Sequence, residues 1–140
     1  MDRSQPTRPT LAVVVPAYNE AAVLPRFHAR LAAVLDGLDA SGSIIYVDDG
    51  SRDATWRIIE ELAATDARVA ALKLARNFGK EAALTAGLDQ VDADLALVID
   101  ADLQDPPELI PEFIARWREG HDVVYGQRLA RDGATWLKRA

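Results

Sequence analysis

Two kinds of apolar pattern alternate along this chain. Short runs of strand length occur at Leu11–Val15, Ile44–Val47, Val69–Leu74, Leu95–Ile99 and Val123–Tyr125, and each gives way to polar residues, proline or glycine. Between them apolar residues recur at helical spacing. Phe27, Leu31, Val34, Leu35 and Leu38 mark a first helix, with Pro25 in its first turn and Gly37 and Gly42 punctuating its end. Ile58, Ile59 and Leu62 mark a second, which Ser51 or Asp53 is placed to cap. A short alanine-rich helix follows the third run and ends near Gly87. The last carries Leu109, Ile110, Phe113, Ile114 and Trp117 and stops at Gly120. Asp105 is read as its N-cap, Pro106 as its first helical position and Glu108 as the partner in a capping box. Beyond Gly126 the periodicity disappears into Gln127, Arg128, Arg131, Trp136, Lys138 and Arg139.

Strands alternating with helices through short loops predict an α/β fold: a doubly wound, mainly parallel sheet with helices on both faces and right-handed crossovers. A length of 140 residues and 49% hydrophobic content fit one domain with one core. That domain is placed at residues 11–140, after a polar, proline-bearing tail over residues 1–10 that is expected to be disordered. The tail lacks the apolar core of a secretory signal, and no segment reaches the ~20 apolar residues of a membrane span. The charge balance of 16 Lys and Arg against 22 Asp and Glu, net −6, argues against nucleic acid or anionic lipid as a partner of the whole surface. Zero cysteines exclude disulfides and thiolate chemistry, which fits a cytoplasmic location.

Candidate chemistry concentrates where strands end. The run Leu95–Ile99 stops at Asp100 and Asp102, with Gln104 just beyond. In open α/β sheets, ligands bind outside the carboxyl ends of the strands. Mg²⁺ typically takes one or two carboxylates and fills its shell with water and phosphate oxygens. On spacing alone, Asp-Ala-Asp reads equally well as a solvated turn. Polar clusters also follow the first two runs, at Tyr18, Asn19 and Glu20 and at Asp48, Asp49, Gly50 and Ser51, so three loops fall on one sheet edge. Neither G-x-G-x-x-G nor G-x-x-x-x-G-K-[ST] occurs, so phosphate would have to be handled by a metal and cationic side chains. Asp48 reads as a turn former. His28 is read as a helix-surface residue and His121 as a turn residue, and neither receives a role.

In order, PAYNE, VDDGSRDAT, RNFGKEAALTAG, DADLQDPPE and VVYGQR resemble the catalytic domain of inverting GT-A-type nucleotide-sugar glycosyltransferases. The polyprenyl-phosphate branch, undecaprenyl-phosphate glucosyltransferases and dolichol-phosphate mannose synthases, is the nearest match. The resemblance implies that Pro16, Tyr18 and Glu20 line the nucleotide pocket, with Val47 and Asp49 holding base and ribose. Asp100 and Asp102, flanking Ala101, would place Mg²⁺ or Mn²⁺ on the diphosphate, and Gln104 would complete the shell. Arg128, with Arg131, would face the acceptor phosphate, and Arg76 and Lys80 would contact the donor.

The implied reaction moves a hexose, glucose ahead of mannose, from UDP-hexose or GDP-mannose to a polyprenyl phosphate at the cytoplasmic face of a membrane. A phosphate monoester with a second pKa of ~6 is already an anionic nucleophile near neutral pH, so no general base is needed. Members of this branch continue with further sheet and an amphipathic helix. The chain stops at Ala140, and WLKR (Trp136 to Arg139) is read as the start of that acceptor-side segment. The expectation is an intact donor half and an incomplete acceptor half, in which binding survives where turnover does not. Competing readings are a nucleotidyltransferase, whose Gly-rich basic loop is absent, and a receiver-type signalling module, which lacks its lysine after the last strand. A third is a non-catalytic nucleotide-sugar-binding fragment.

Overall fold

The computed structural model describes residues 8–102, 104, 106–120, 123–125 and 136–139. Its elements in order are β1 (Thr10–Ala17), α1 (Leu24–Asp36), β2 (Ser41–Asp48), α2 (Thr55–Thr65), β3 (Val69–Lys73) and α3 (Lys80–Leu88). They continue with β4 (Leu95–Val98), a 3₁₀ turn (Pro107–Leu109), α4 (Ile110–Arg118), β5 (Val123–Tyr125) and β6 (Trp136–Arg139). The sheet order is β3-β2-β1-β4-β6-β5. β1 to β4 are parallel, and β6 lies antiparallel between β4 and β5. The apolar runs of β1 and β4 are buried throughout because helices cover both faces.

One face carries most of the core. Leu11, Val13 and Val15 of β1, Ile44 and Tyr46 of β2, and Leu95 and Leu97 of β4 pack there against Phe27 and Leu31 of α1, Ile59 of α2, and Phe113 and Trp117 of α4. On the other face Val14, Ile45, Val47 and Val98 meet α3, whose buried residues are small, Ala83 and Gly87. A Cβ on Gly87 would come within 2.5 Å of Val14 Cγ1, so this glycine is what lets α3 lie close to the sheet. The order reverses between β1, whose successors run to β2 and β3, and β4. The crevice at the C-terminal ends of β1 and β4 is therefore a topological switch point.

Several expectations change. WLKR is an internal strand of the sheet, with Leu95 opposite Arg139 and Val98 opposite Trp136. Four residues of mixed character are too short to carry a detectable period. The tail is shorter than expected at its inner end. Thr10 already pairs with Ser41, its N–H donates to Asp94, and Arg8 donates to the Ala40 carbonyl. The Glu108 carboxylate receives the Arg30 guanidinium, and the chain enters α4 through the 3₁₀ turn, with Pro106 extended before it. Asp105 lies outside the described residues. The cap of α2 comes from Asp53, which accepts from the Thr55 N–H and hydroxyl, with Ala54 rather than Asp53 at the N-cap position.

His28 is the clearest difference. It is buried on the apolar face of α1, in step with Leu24, Leu31 and Leu35. Its Nδ1 lies 2.7 Å from the Tyr46 hydroxyl and its Nε2 3.1 Å from Asp66 Oδ2, and Asp66 in turn receives Arg68. Neutral His28 donating from Nε2 and accepting at Nδ1 satisfies both contacts. Burial holds its pKa below the ordinary histidine value, and hydrogen bonds from Arg68 pull the Asp66 carboxyl down to about 2.

Candidate functional site

Pro16 closes the buried run of β1 without an N–H to give the ladder, and the chain leaves the sheet one residue later, after Ala17. It does so through Asn19, which adopts a left-handed φ of 53°. The turn is clamped from the opposite loop. The Asn19 N–H donates to Ser51 Oγ at 2.8 Å, the Arg52 N–H returns a bond to Asn19 Oδ1 at 2.8 Å, and the Glu20 N–H donates to Thr55 Oγ1 at 2.8 Å. Ala21 N–H adds a bond to Asp53. Tyr18 is thereby projected outward, 42% exposed, while Glu20 faces back towards the end of β4.

The loop after β2 is organised by two buried carboxylates with different tasks. Asp48 accepts from the Ser51 N–H and closes its own turn. Asp49 reaches across to the loop after β3. It accepts from the Phe78 N–H at 2.8 Å, the Gly79 N–H at 3.1 Å and Asn77 Nδ2 at 3.1 Å. Gly50, at φ +72°, sits so close that a Cβ would be 2.3 Å from the Asn77 nitrogen. Two loops are thus welded together by one carboxylate and one glycine. Arg76 stacks on the exposed Phe78 ring at 4.2 Å.

At the end of β4, Asp100 Oδ2 is 2.7 Å from Lys80 Nζ, and Asp102 Oδ1 accepts from the Gln104 N–H at 3.0 Å. Burial, and then the charges of Asp102, Asp100 and Asp53, raise the Glu20 carboxyl above its ordinary value. One cleft gathers these groups: Pro16, Ala17, Tyr18, Glu20, Asp49, Lys80, Ala83, Asp100 and Asp102 surround about 490 Å³ of open space. Its size suits a small polar ligand. Among the described residues no three His, Cys, Asp or Glu side chains converge as a ready cage for a metal ion. The donor set nevertheless fits Mg²⁺ or Mn²⁺, since such ions use one or two carboxylates and leave the remaining positions to water and phosphate.

The predicted residues divide. Pro16, Tyr18, Glu20, Asp49, Asp100 and Asp102 share the cleft, and Lys80 joins them. Val47 and Ala101 have fully buried side chains that belong to the core, and neither lines the cleft. Arg76 is engaged with Phe78, and Gln104 is exposed with its N–H on Asp102. Arg128, Arg131 and His121 lie outside the described residues. The clamp of Asn19, Ser51, Asp53 and Thr55 is not visible in the sequence pattern. Its only trace is polar density after the first two strands.

Comparison with known proteins agrees with this fold. Residues 12–140 match the family described as Glycosyl transferase family 2. An uncharacterised glycosyltransferase of Synechocystis is 46% identical over 129 residues, 92% of this chain and 41% of that protein. A bactoprenol glucosyl transferase of Shigella phage SfV is 42% identical over 129 residues, 92% of this chain and 42% of that protein. The chain thus spans about two fifths of the length of these relatives. A mannosyltransferase from Pyrobaculum calidifontis, solved with GDP-Man and Mn²⁺, superposes with a TM-score of 0.75 at 18% identity, over 94% of this chain and 45% of that one. At that identity the likeness is one of fold.

Proposed function

Starting from the fact that the chain belongs to glycosyl transferase family 2, we propose that it forms the donor-binding part of a divalent-cation-dependent, inverting hexosyltransferase. The donor is a UDP-hexose, glucose first, and the acceptor a polyprenyl phosphate at the cytoplasmic face of a membrane. One observation carries the reading: Asp100 and Asp102, ending β4, share a single cleft at the switch point with Tyr18, Glu20 and Asp49. The name of the Shigella phage relative supports glucose and a bactoprenol acceptor.

In this reading Asp100 and Asp102 hold the cation, with Gln104 beside them. When bound, the ion offsets the charge that builds on the departing diphosphate. Tyr18 offers an aromatic face to the base. Asp49, committed to the loop at 77–79, positions the donor pocket and keeps its remaining acceptor capacity for ribose or base. Arg128, with Arg131, is assigned to the acceptor phosphate, for which a guanidinium fork suits bidentate contact. An anionic acceptor needs no base, which agrees with a cleft lined by no histidine among the described residues. No described helix is long and apolar enough to cross a membrane.

Calorimetric titration with UDP tests the assignment. Binding is expected with Mn²⁺ or Mg²⁺ present, to fall at least about tenfold when the ion is chelated, and to be lost in Asp102→Ala. Metal-independent binding, or binding indifferent to that substitution, would refute it. GDP in place of UDP as the tighter ligand would move the donor to GDP-mannose.

A further inference from the structure

Lys80 occupies a position that helix electrostatics disfavour. It is the first residue of α3, where the N-terminal end of the dipole repels a cation. There its ammonium lies 2.7 Å from Asp100 Oδ2, one of the oxygens assigned to the divalent ion. The backbone just before it is fixed, because the Gly79 N–H donates to the buried carboxylate of Asp49. The side chain is 54% exposed, while Asp100 is 18% exposed. Among the described residues lining the cleft, Lys80 is the one cation against the carboxylates of Glu20, Asp49, Asp100 and Asp102.

We propose that Lys80 is a positioning residue that takes the place of the divalent cation at Asp100 and gives up that carboxylate when a nucleoside diphosphate arrives. A dication and an ammonium cannot share one carboxylate oxygen without like-charge repulsion. A diphosphate removes the conflict by offering the ammonium its own anionic oxygens, within reach of a four-carbon stem pivoting on a fixed Cα. Cation and nucleotide therefore bind cooperatively, each weakly alone, and the coupling is reciprocal. The inference rests on the cation and nucleotide roles proposed above and adds the residue that links them.

Mn²⁺ binding, followed by electron paramagnetic resonance of the free ion with and without saturating UDP, tests it. Thermal unfolding of each variant accompanies the measurement, and the exposed Lys80 side chain is expected to be replaceable without loss of the fold. In Lys80→Met, Mn²⁺ alone should bind about fivefold more tightly, the upper range for release of an exposed ion pair. Enhancement by UDP should shrink by at least that factor. Lys73→Met, which removes a charge outside the cleft, should change neither. Unchanged or weaker binding of Mn²⁺ alone in Lys80→Met, an undiminished UDP effect, or an equal shift in Lys73→Met would each overturn the proposal. Absence of any UDP-enhanced Mn²⁺ binding in the unmodified chain would instead sink the donor-site reading, and this inference with it.

Discussion

Asp66 and Glu20 are both carboxylates set among polar side chains, yet their surroundings push them in opposite directions. Asp66 closes a chain of partners, Arg68, His28 and through it Tyr46, and is stabilised in its charged form. Glu20 is partly buried and has Asp102, Asp100 and Asp53 around it, so its charged form is disfavoured. The first arrangement completes its own electrostatics within the α1 side of the sheet. The second, at the sheet's C-terminal edge, leaves excess negative charge facing open space. An unbalanced cluster costs stability unless something from outside balances it, which is the physical sense in which a site differs from a structural network.

The largest effect is expected where the open cluster depends on a closed one. Asp49→Ala removes the carboxylate that accepts from the Phe78 and Gly79 N–H groups, while the Asn77 amide keeps only the Asp49 carbonyl. It should cost about 3 kcal/mol in urea unfolding, from the loss of several hydrogen bonds to one buried charged acceptor, and abolish UDP binding. A loss under about 1 kcal/mol would mean that the loop is held by other contacts.

His28→Leu strikes the closed network and should cost about 2 kcal/mol by stranding the buried Tyr46 hydroxyl, with UDP binding intact. Its pH signature is specific. The folded state holds His28 below its ordinary value of 6.5, so it binds fewer protons than the unfolded chain just below that pH. Stability must therefore fall as pH drops through 6.5. Asp66 is depressed to about 2, so its contribution is present above 3.8 and is lost as pH falls from there towards 2. Urea midpoints measured across pH should show the upper slope in the parent chain and not in His28→Leu.

The smallest effect sharpens the contrast. The folded state raises Glu20, so its ionisation destabilises the fold as pH climbs through and above 4.5. Glu20→Gln should gain about 0.5 kcal/mol at neutral pH after solvent screening, and should reduce affinity for Mn²⁺ with UDP. A destabilised variant would show that the surrounding negative charge is already compensated.

How much of this is legible in the residues depends on separation along the chain. The runs that became β1 to β5 are local patterns, and the apolar stripes of α1 and α4 predict their buried faces. Asp100 and Asp102 are legible because the end of a buried strand fixes where they emerge. The bonds that shape the cleft join residues far apart in sequence, Asp49 to Gly79 and Asn19 to Ser51, and no period encodes them. His28 is legible by spacing and not by polarity. Its spacing of four from Leu24 and three from Leu31 puts it on the buried stripe, whereas a polar ring suggests the surface. The interior place of β6 could not be read from four residues whose partner lies some forty positions earlier.

That last strand has a temporal consequence. As the polypeptide leaves the ribosome, β4 has β1 on one flank, but its other flank presents bare N–H and C=O groups until Trp136–Arg139 has emerged. For the whole interval in which α4 and β5 are being made, the strand that delivers Asp100 is a sticky border, open to a neighbouring nascent chain or to a chaperone.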